Sequence, residues 1–292
     1  MRLFIVAWNG LSTNTPRNGV ERGQFATFTA ALVKAVPSVH GIIVGNEANL
    51  STFWLPQFGR DGRDVAAAAY EDLLARSYDA IKAASPDVEV VGGAVSPHGA
   101  DRPHGLRPTH SPTTFIRDLG SFYRASGRRR PLMDAFAIHP YMSSPKVPPT
   151  LAHPKTTEIT IADYPKLVTL LDEAFRHTSQ RGRTLPILYT EFGVQTVVPE
   201  NKLSAYQEGT SPNAEEGVSA ATQAAYYRQA IALSYCQPTV RGLFIFHTFD
   251  ESALNGWQSG LYYADRSAKP SLRGFRQAVG DLRAGKLTTC HR

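Results

Sequence analysis

Two stretches of the sequence end an apolar run on a glutamate. In GIIVGNEANL, residues 41–50, the β-branched run Ile42, Ile43 and Val44 leads to Asn46 and Glu47. In LPILYTEFG, residues 185–193, a similar run closes on Glu191. Burying a charge is costly unless the charge is paired or put to use. For a lone glutamate, a solvated loop position is the better reading; two at matching positions invite another. The run AFAIHPY places His139 and Tyr141 two residues apart, on the same side of an extended chain. GLFIFHTFDE brings His247, with Asp250 and Glu251 just beyond, and the first apolar run offers Trp8 and Asn9. Two carboxylates flanking a substrate are the apparatus of glycoside hydrolysis. One must be protonated to help the leaving oxygen depart, and the other ionised to attack the anomeric carbon.

Competing chemistries find less support. The chain contains no G-x-S-x-G elbow, Walker loop, G-x-G-x-x-G or H-E-x-x-H motif. His98, His104 and His110 share one loop, but Pro and Arg surround them and no carboxylate keeps ligand spacing, so they read as surface residues; no metal and no cofactor is expected. Cys236 and Cys290 are too few for a disulfide scaffold and fit no zinc spacing; on count alone they are two unrelated thiols. The net charge of +6 includes one dense basic run, Arg128–Arg130, without interleaved aromatics. It reads as a solvated turn rather than a nucleic-acid patch. Nothing approaches the apolar length that a membrane span needs.

The elements that must position these residues alternate along the chain. Strands are predicted over residues 3–8, 39–46, 88–95, 133–139, 185–191 and 240–248. Each precedes a stretch of helical period, at 21–36, 64–84, 111–125, 163–178, 218–236 and 272–283. The helices containing AAAAYEDLLARSYDAIKAA and ATQAAYYRQAIALSY read as strongly amphipathic. With 292 residues, 42% of them hydrophobic, and no linker, one βα array over residues 1–292 is the economical reading. Helix-to-strand links are short. Strand-to-helix links (47–63, 96–110, 140–162, 192–217 and 249–271) are long and rich in Pro, Gly, Asn and aromatics. A (β/α) barrel gathers such loops around its active site, and a doubly wound open sheet also binds ligands at that end, so this asymmetry does not choose between them.

GNEAN closing one strand, HPY another and YTEFG a third resemble the glycoside hydrolase clan of (β/α)8 barrels, nearest to family 5 cellulase-like and family 39-like proteins. The ending WQSGLYYADRSAKPSLRGF is similar to the last βα segment of such barrels. The resemblance runs over essentially the whole chain. It implies a TIM (β/α)8-type barrel acting as a single catalytic domain, a retaining glycosidase. Glu47 would be the acid/base and Glu191 the nucleophile. Asn46 would hold the sugar 2-hydroxyl, Tyr141 would hydrogen-bond Glu191, and His139 would line the sugar site.

There are departures. Ala48 stands where the family usually has Pro, and Phe246–His247 near where many members carry a Trp platform. Trp54 and Trp257 are candidate replacements, each equally well read as loop packing. In this alignment the first strand is strand three of the barrel, so two βα units, with the family's sugar-binding Arg, are expected to be missing at the N-terminus. MRLFIVAWNG lacks the long apolar core and cleavage site of a signal peptide, which would have preceded the missing strands. Consecutive helices of a barrel are neighbours, which brings Cys236 and Cys290 together; a disulfide there implies an oxidising, extracellular or periplasmic setting. The expected partner is a carbohydrate substrate, with no nucleic acid and no membrane. The rival reading is a carbohydrate-binding protein on the same scaffold without turnover; a third is an unrelated open α/β binding module.

Overall fold

The computed structural model describes residues 2–207, 217–286 and 290, so part of the 192–217 connection lies outside it. Six strands, β1 (Leu3–Ala7), β2 (Val39–Val44), β3 (Glu89–Val95), β4 (Ala135–Ile138), β5 (Ile187–Phe192) and β6 (Val240–Ile245), alternate with six helices. These are α1 (Gly19–Ala35), α2 (Ala66–Ala84), α3 (Pro112–Ala125), α4 (Tyr164–Phe175), α5 (Ala220–Tyr235) and α6 (Ser271–Arg283). The strands are parallel and lie in the sheet in chain order, the arrangement of a partial (β/α)8 barrel with six βα units among the described residues.

Local sequence explains the boundaries. The Asn18 side chain accepts from the Val20 and Glu21 amides, so α1 starts two residues before its predicted position. Ser111, followed by Pro112 at the first helical turn, caps α3 through the Thr114 amide; Ser219 caps α5 through that of Thr222. β2 stops before Asn46 because Gly45 turns the backbone to φ +83°. α5 departs from the amphipathic reading: its inward stripe includes Gln223 and Ser234 beside Tyr227, Ala230 and Ile231. Gln223 faces inward because its amide donates to the Val194 carbonyl at 2.8 Å.

The residues cluster into two compact units. The first comprises Met1–His139, His153–Ile159 and Asp163–Leu188. Its core is the apolar run of β2 with Val90, Val91, Phe136 and Ile138, covered by Leu73, Leu74, Ile81, Phe115 and Leu119. Strands buried on both faces read as continuous apolar runs, hence the β-branched sequence of β2. The basic run departs from a solvated turn. Arg128 is forked onto Asp79 at 2.7 and 2.8 Å, and Arg130 reaches the same carboxylate at 2.8 Å.

The second unit comprises Pro140–Ala152, Thr160–Ala162 and Tyr189–Arg292. Its polar centre is Lys269, fully buried, whose Nζ donates to Asp250 Oδ1 and Thr196 Oγ1 at 2.7 Å and to the Gln258 carbonyl at 2.9 Å. The Tyr206 hydroxyl donates to Asp250 Oδ2 at 2.7 Å, and the Gly260 amide to Oδ1 at 2.8 Å. Every hydrogen on the ammonium is used, which is the condition for keeping such a pair out of water. Cys236, at the end of α5, is bonded to Cys290 with Cα atoms 5.3 Å apart.

Lys269→Met leaves Asp250 buried without its cation and is expected to cost about 3–5 kcal/mol in urea unfolding. A loss under about 1 kcal/mol would show that the pair is not structural. Denatured, unreduced protein is expected to titrate no free thiols.

Candidate active site

In the first unit the end of β2 is fixed before any side chain is considered. Gly45 has no room for a side chain: a Cβ there would lie 2.8 Å from the Tyr70 ring. The Tyr70 hydroxyl, on α2, donates to the Val44 carbonyl at 2.7 Å and accepts from the Gly93 amide at 2.7 Å, tying β2 to β3. Two residues past Gly45, Glu47 itself takes the left-handed conformation at φ +40°, its amide donating to the Ala94 carbonyl at 2.8 Å. A non-glycine residue held there marks backbone that its surroundings over-determine, a frequent property of functional sites. The carboxylate is mostly buried, and its Oε1 lies 2.9 Å from Nδ1 of His139, which is 2% exposed. With Glu47 ionised the ring donates, and the buried charge has its partner.

The rest of GNEAN is clamped equally firmly. The Asn49 side chain is fully buried, accepts from the Ser96 amide at 2.9 Å and donates to the carbonyls of Ser96, His98 and His110. Asn46 is half-buried beside Glu47. Trp8 is 40% exposed and packs edge-on against Phe53. The Asn9 amide donates to the carbonyls of Leu11 and Phe53, so it holds its loop. Trp54 is corrected from a sugar platform to a core residue: it is 1% exposed, packs edge-on against Tyr70, and offers no face to a ligand.

In the second unit Glu191 is part-exposed at the end of β5, and its Oε2 accepts from the Tyr141 hydroxyl at 3.0 Å. This contact aims the Glu191 carboxyl group. Tyr141 packs against Trp257 at 5.2 Å, and Phe246 stands edge-on to both rings. Trp257 remains 36% exposed, as a platform requires. The motif's glycine has a steric reason: a Cβ on Gly193 would lie 2.5 Å from the Phe246 carbonyl oxygen. His247 follows Phe246; burial pushes its imidazole below the usual range, and its Nε2 lies 3.9 Å from Glu251.

Sequence reading missed the layer behind Glu47. His110 is corrected from a surface residue to a core one, 1% exposed. Its Nε2 lies 3.0 Å from the Gln57 carbonyl and 3.3 Å from Asp64, while His104 is exposed and His98 sits 3.5 Å from Glu158. Among the described residues no group of three His, Cys, Asp or Glu could hold a metal ion, and no helix is long and apolar enough to cross a membrane.

No protein-family model and no curated protein sequence matches the chain. Solved structures do. A family 39 glycoside hydrolase from the gut symbiont Bacteroides cellulosilyticus WH2 superposes with a TM-score of 0.61 at 21% identity, over 94% of this chain and 48% of that one. The Ignisphaera aggregans GH53 catalytic domain gives 0.59 at 18%, over 95% and 74%. GH5_18 from Streptomyces cattleya, in complex with GlcNAc, gives 0.57 at 18%, over 97% and 62%. These likenesses are of fold: a (β/α)8-type barrel in partial form, shared with glycoside hydrolase structures. The chain spans about half the length of the family 39 structure.

His139→Ala, by removing the partner of Glu47, is expected to cost about 1–3 kcal/mol from the orphaned acceptor. A double-mutant cycle with Glu47→Gln isolates that share, and a coupling near zero would show that the contact contributes nothing.

Proposed function

We propose that the chain is a retaining glycoside hydrolase acting on a polysaccharide, oligosaccharide or glycoside, with Glu47 as acid/base and Glu191 as nucleophile. The observation that carries this reading is that each strand-end glutamate has its own hydrogen-bonding partner, His139 for Glu47 and Tyr141 for Glu191. Both partners come from a single tripeptide, His139-Pro140-Tyr141. Glu47 protonates the glycosidic oxygen while the Glu191 carboxylate attacks the anomeric carbon. The leaving alcohol departs, a glycosyl ester forms on Glu191, and Glu47 then takes a proton from the water that hydrolyses it. Asn46 contacts the 2-hydroxyl, and Trp8, Trp257 and His247 line the sugar. A retaining mechanism requires carboxyl groups roughly 5–5.5 Å apart, against about 6.5–9.5 Å for inversion.

The disulfide supports an oxidising, extracytoplasmic setting. A carbohydrate-binding protein without turnover is the second reading. It is favoured by the departure near the last strand, where Phe246–His247 stand near the position at which many such barrels carry a Trp platform.

The test is turnover of a panel of aryl-glycosides, with the product anomer followed by NMR. Retention is expected in the wild type, loss of turnover in Glu191→Ala, and a roughly 10²–10⁴-fold lower kcat in Glu47→Gln. Inversion would remove the retaining mechanism; sugar binding without turnover would establish the second reading. Tyr141→Phe is expected to lower kcat about 10-fold or more, the value of one hydrogen bond to a charged acceptor.

A further inference from the structure

The first unit carries a cleft of about 690 Å³ between the loop that leaves β1 and helix α1. Its place follows from the sheet. The Gly45 amide donates to the Ala7 carbonyl at 2.8 Å, so Trp8 and Asn9 leave β1 beside the segment that carries Asn46 and Glu47. Asn9 lines the cleft at the β1 end, and Phe25 and Phe28 line it on α1.

The walls are held from two directions. Asn9 Nδ2 and the Ser12 amide donate to the carbonyls of Phe53 and Thr52, at 3.1 and 3.2 Å, and the Leu55 amide donates to Thr15 Oγ1 at 3.0 Å. From α1, Arg22 donates to the Pro16 carbonyl at 3.3 Å. A loop tied down in this way gives a cleft that exists before any ligand arrives, as small-molecule sites usually do.

Much of the polar lining is unspent. Among the described residues, the Arg17 guanidinium and the Gln24 side-chain amide are exposed and have no hydrogen-bond or ion-pair partner. Asn14 donates from Nδ2 to the Asn9 carbonyl at 3.3 Å, which leaves its oxygen as an acceptor. A guanidinium presents five donors in a fixed fork, and an amide presents donors and an acceptor together. Phe28 is 49% exposed and stands edge-on to Phe25 at 6.3 Å, adding an aromatic face. Glu21 also lines the cleft, and its carboxylate is committed to the Arg17 backbone amide at 2.6 Å and to Asn18 Nδ2 at 2.8 Å. Its charge offsets that of Arg17 and disfavours an anion. The ligand that suits this set has hydroxyls that donate and accept, an apolar C–H face and no charge, which describes a neutral sugar.

We propose, resting on the glycosidase reading, that this cleft is a distal subsite for an uncharged oligosaccharide chain entering past Asn9. The substrate class is then an oligosaccharide or polysaccharide rather than a small glycoside.

The experiment is calorimetric titration of the whole chain as Glu191→Ala with β-1,4-linked hexasaccharides of glucose, xylose, mannose and galactose, each against its disaccharide. At least one hexasaccharide is expected to bind about tenfold or more tightly than its disaccharide. Arg17→Ala and Phe28→Ala, both surface changes, are each expected to reduce that preference about three- to tenfold, the value of one charged hydrogen bond or one aromatic contact. Equal affinity for the two lengths across the panel, or an unaltered preference in both variants, overturns the proposal. Tighter binding of hexagalacturonate than of any neutral chain overturns the uncharged class. Self-association in sedimentation that Phe28→Ala abolishes assigns the aromatic face to a second copy of the chain and also overturns the subsite. Wild-type turnover of aryl-glycosides without length-dependent binding keeps the glycosidase reading and loses the subsite. Length-dependent binding, weakened in both variants, without any turnover keeps the subsite and loses the glycosidase reading.

Discussion

A carboxylate at the dry end of a buried strand must have a partner, and much of the first unit follows from giving Glu47 one. Nδ1 of His139, 2.9 Å from Oε1, meets that need. It does so only if β2 and β4 end at fixed places, so the backbone around the contact is restrained from several sides. The Tyr70 hydroxyl ties Val44 to Gly93, Gly45 admits the Tyr70 ring, and Asn49 holds the loop after β3. Each contact is modest in net free energy, but removing one leaves a buried polar group unmet, which costs more than the bond contributed. A carboxyl group so constrained is held in one geometry.

The second unit solves the same problem by another route. Glu191 accepts from the Tyr141 hydroxyl, and the loops beyond β5 and β6 are braced by the Lys269–Asp250 pair, which gathers Thr196, Tyr206, Gln258 and Gly260. Buried ion pairs seldom add much stability over an apolar alternative, but they fix one arrangement because every other leaves a charge unmatched. Trp257 lies in the loop that the pair organises.

The likeness to family 39, 53 and 5 structures is a likeness of fold at 18–21% identity. A barrel of this kind hosts many activities, so function has to be argued from the strand-end residues. What sets this chain apart is local. Ala48 follows the Asn-Glu pair, and its carbonyl accepts from buried Gln57, a contact that brings the His110 layer within reach of Glu47.

The order of six strands and six helices, the strand-end glutamates and the closeness of Cys236 to Cys290 were legible in the sequence. Each rests on local periodicity, on residue type, or on the rule that consecutive βα units are neighbours. Trp54, Arg128 and His110 were not legible. Nothing in a loop sequence distinguishes a tryptophan offered to a sugar from one wedged under Tyr70, or a solvated arginine from one forked onto Asp79. The buried histidine is the sharpest case: His98, His104 and His110 share one proline- and arginine-rich loop, yet only the last is enclosed. Its burial is decided by Phe58, Asp64 and Phe115, which come from other parts of the chain. Residue type and spacing determined which groups could do chemistry at the strand ends. Only the tertiary packing decided which of them are desolvated, and desolvation determines how an ionisable group behaves.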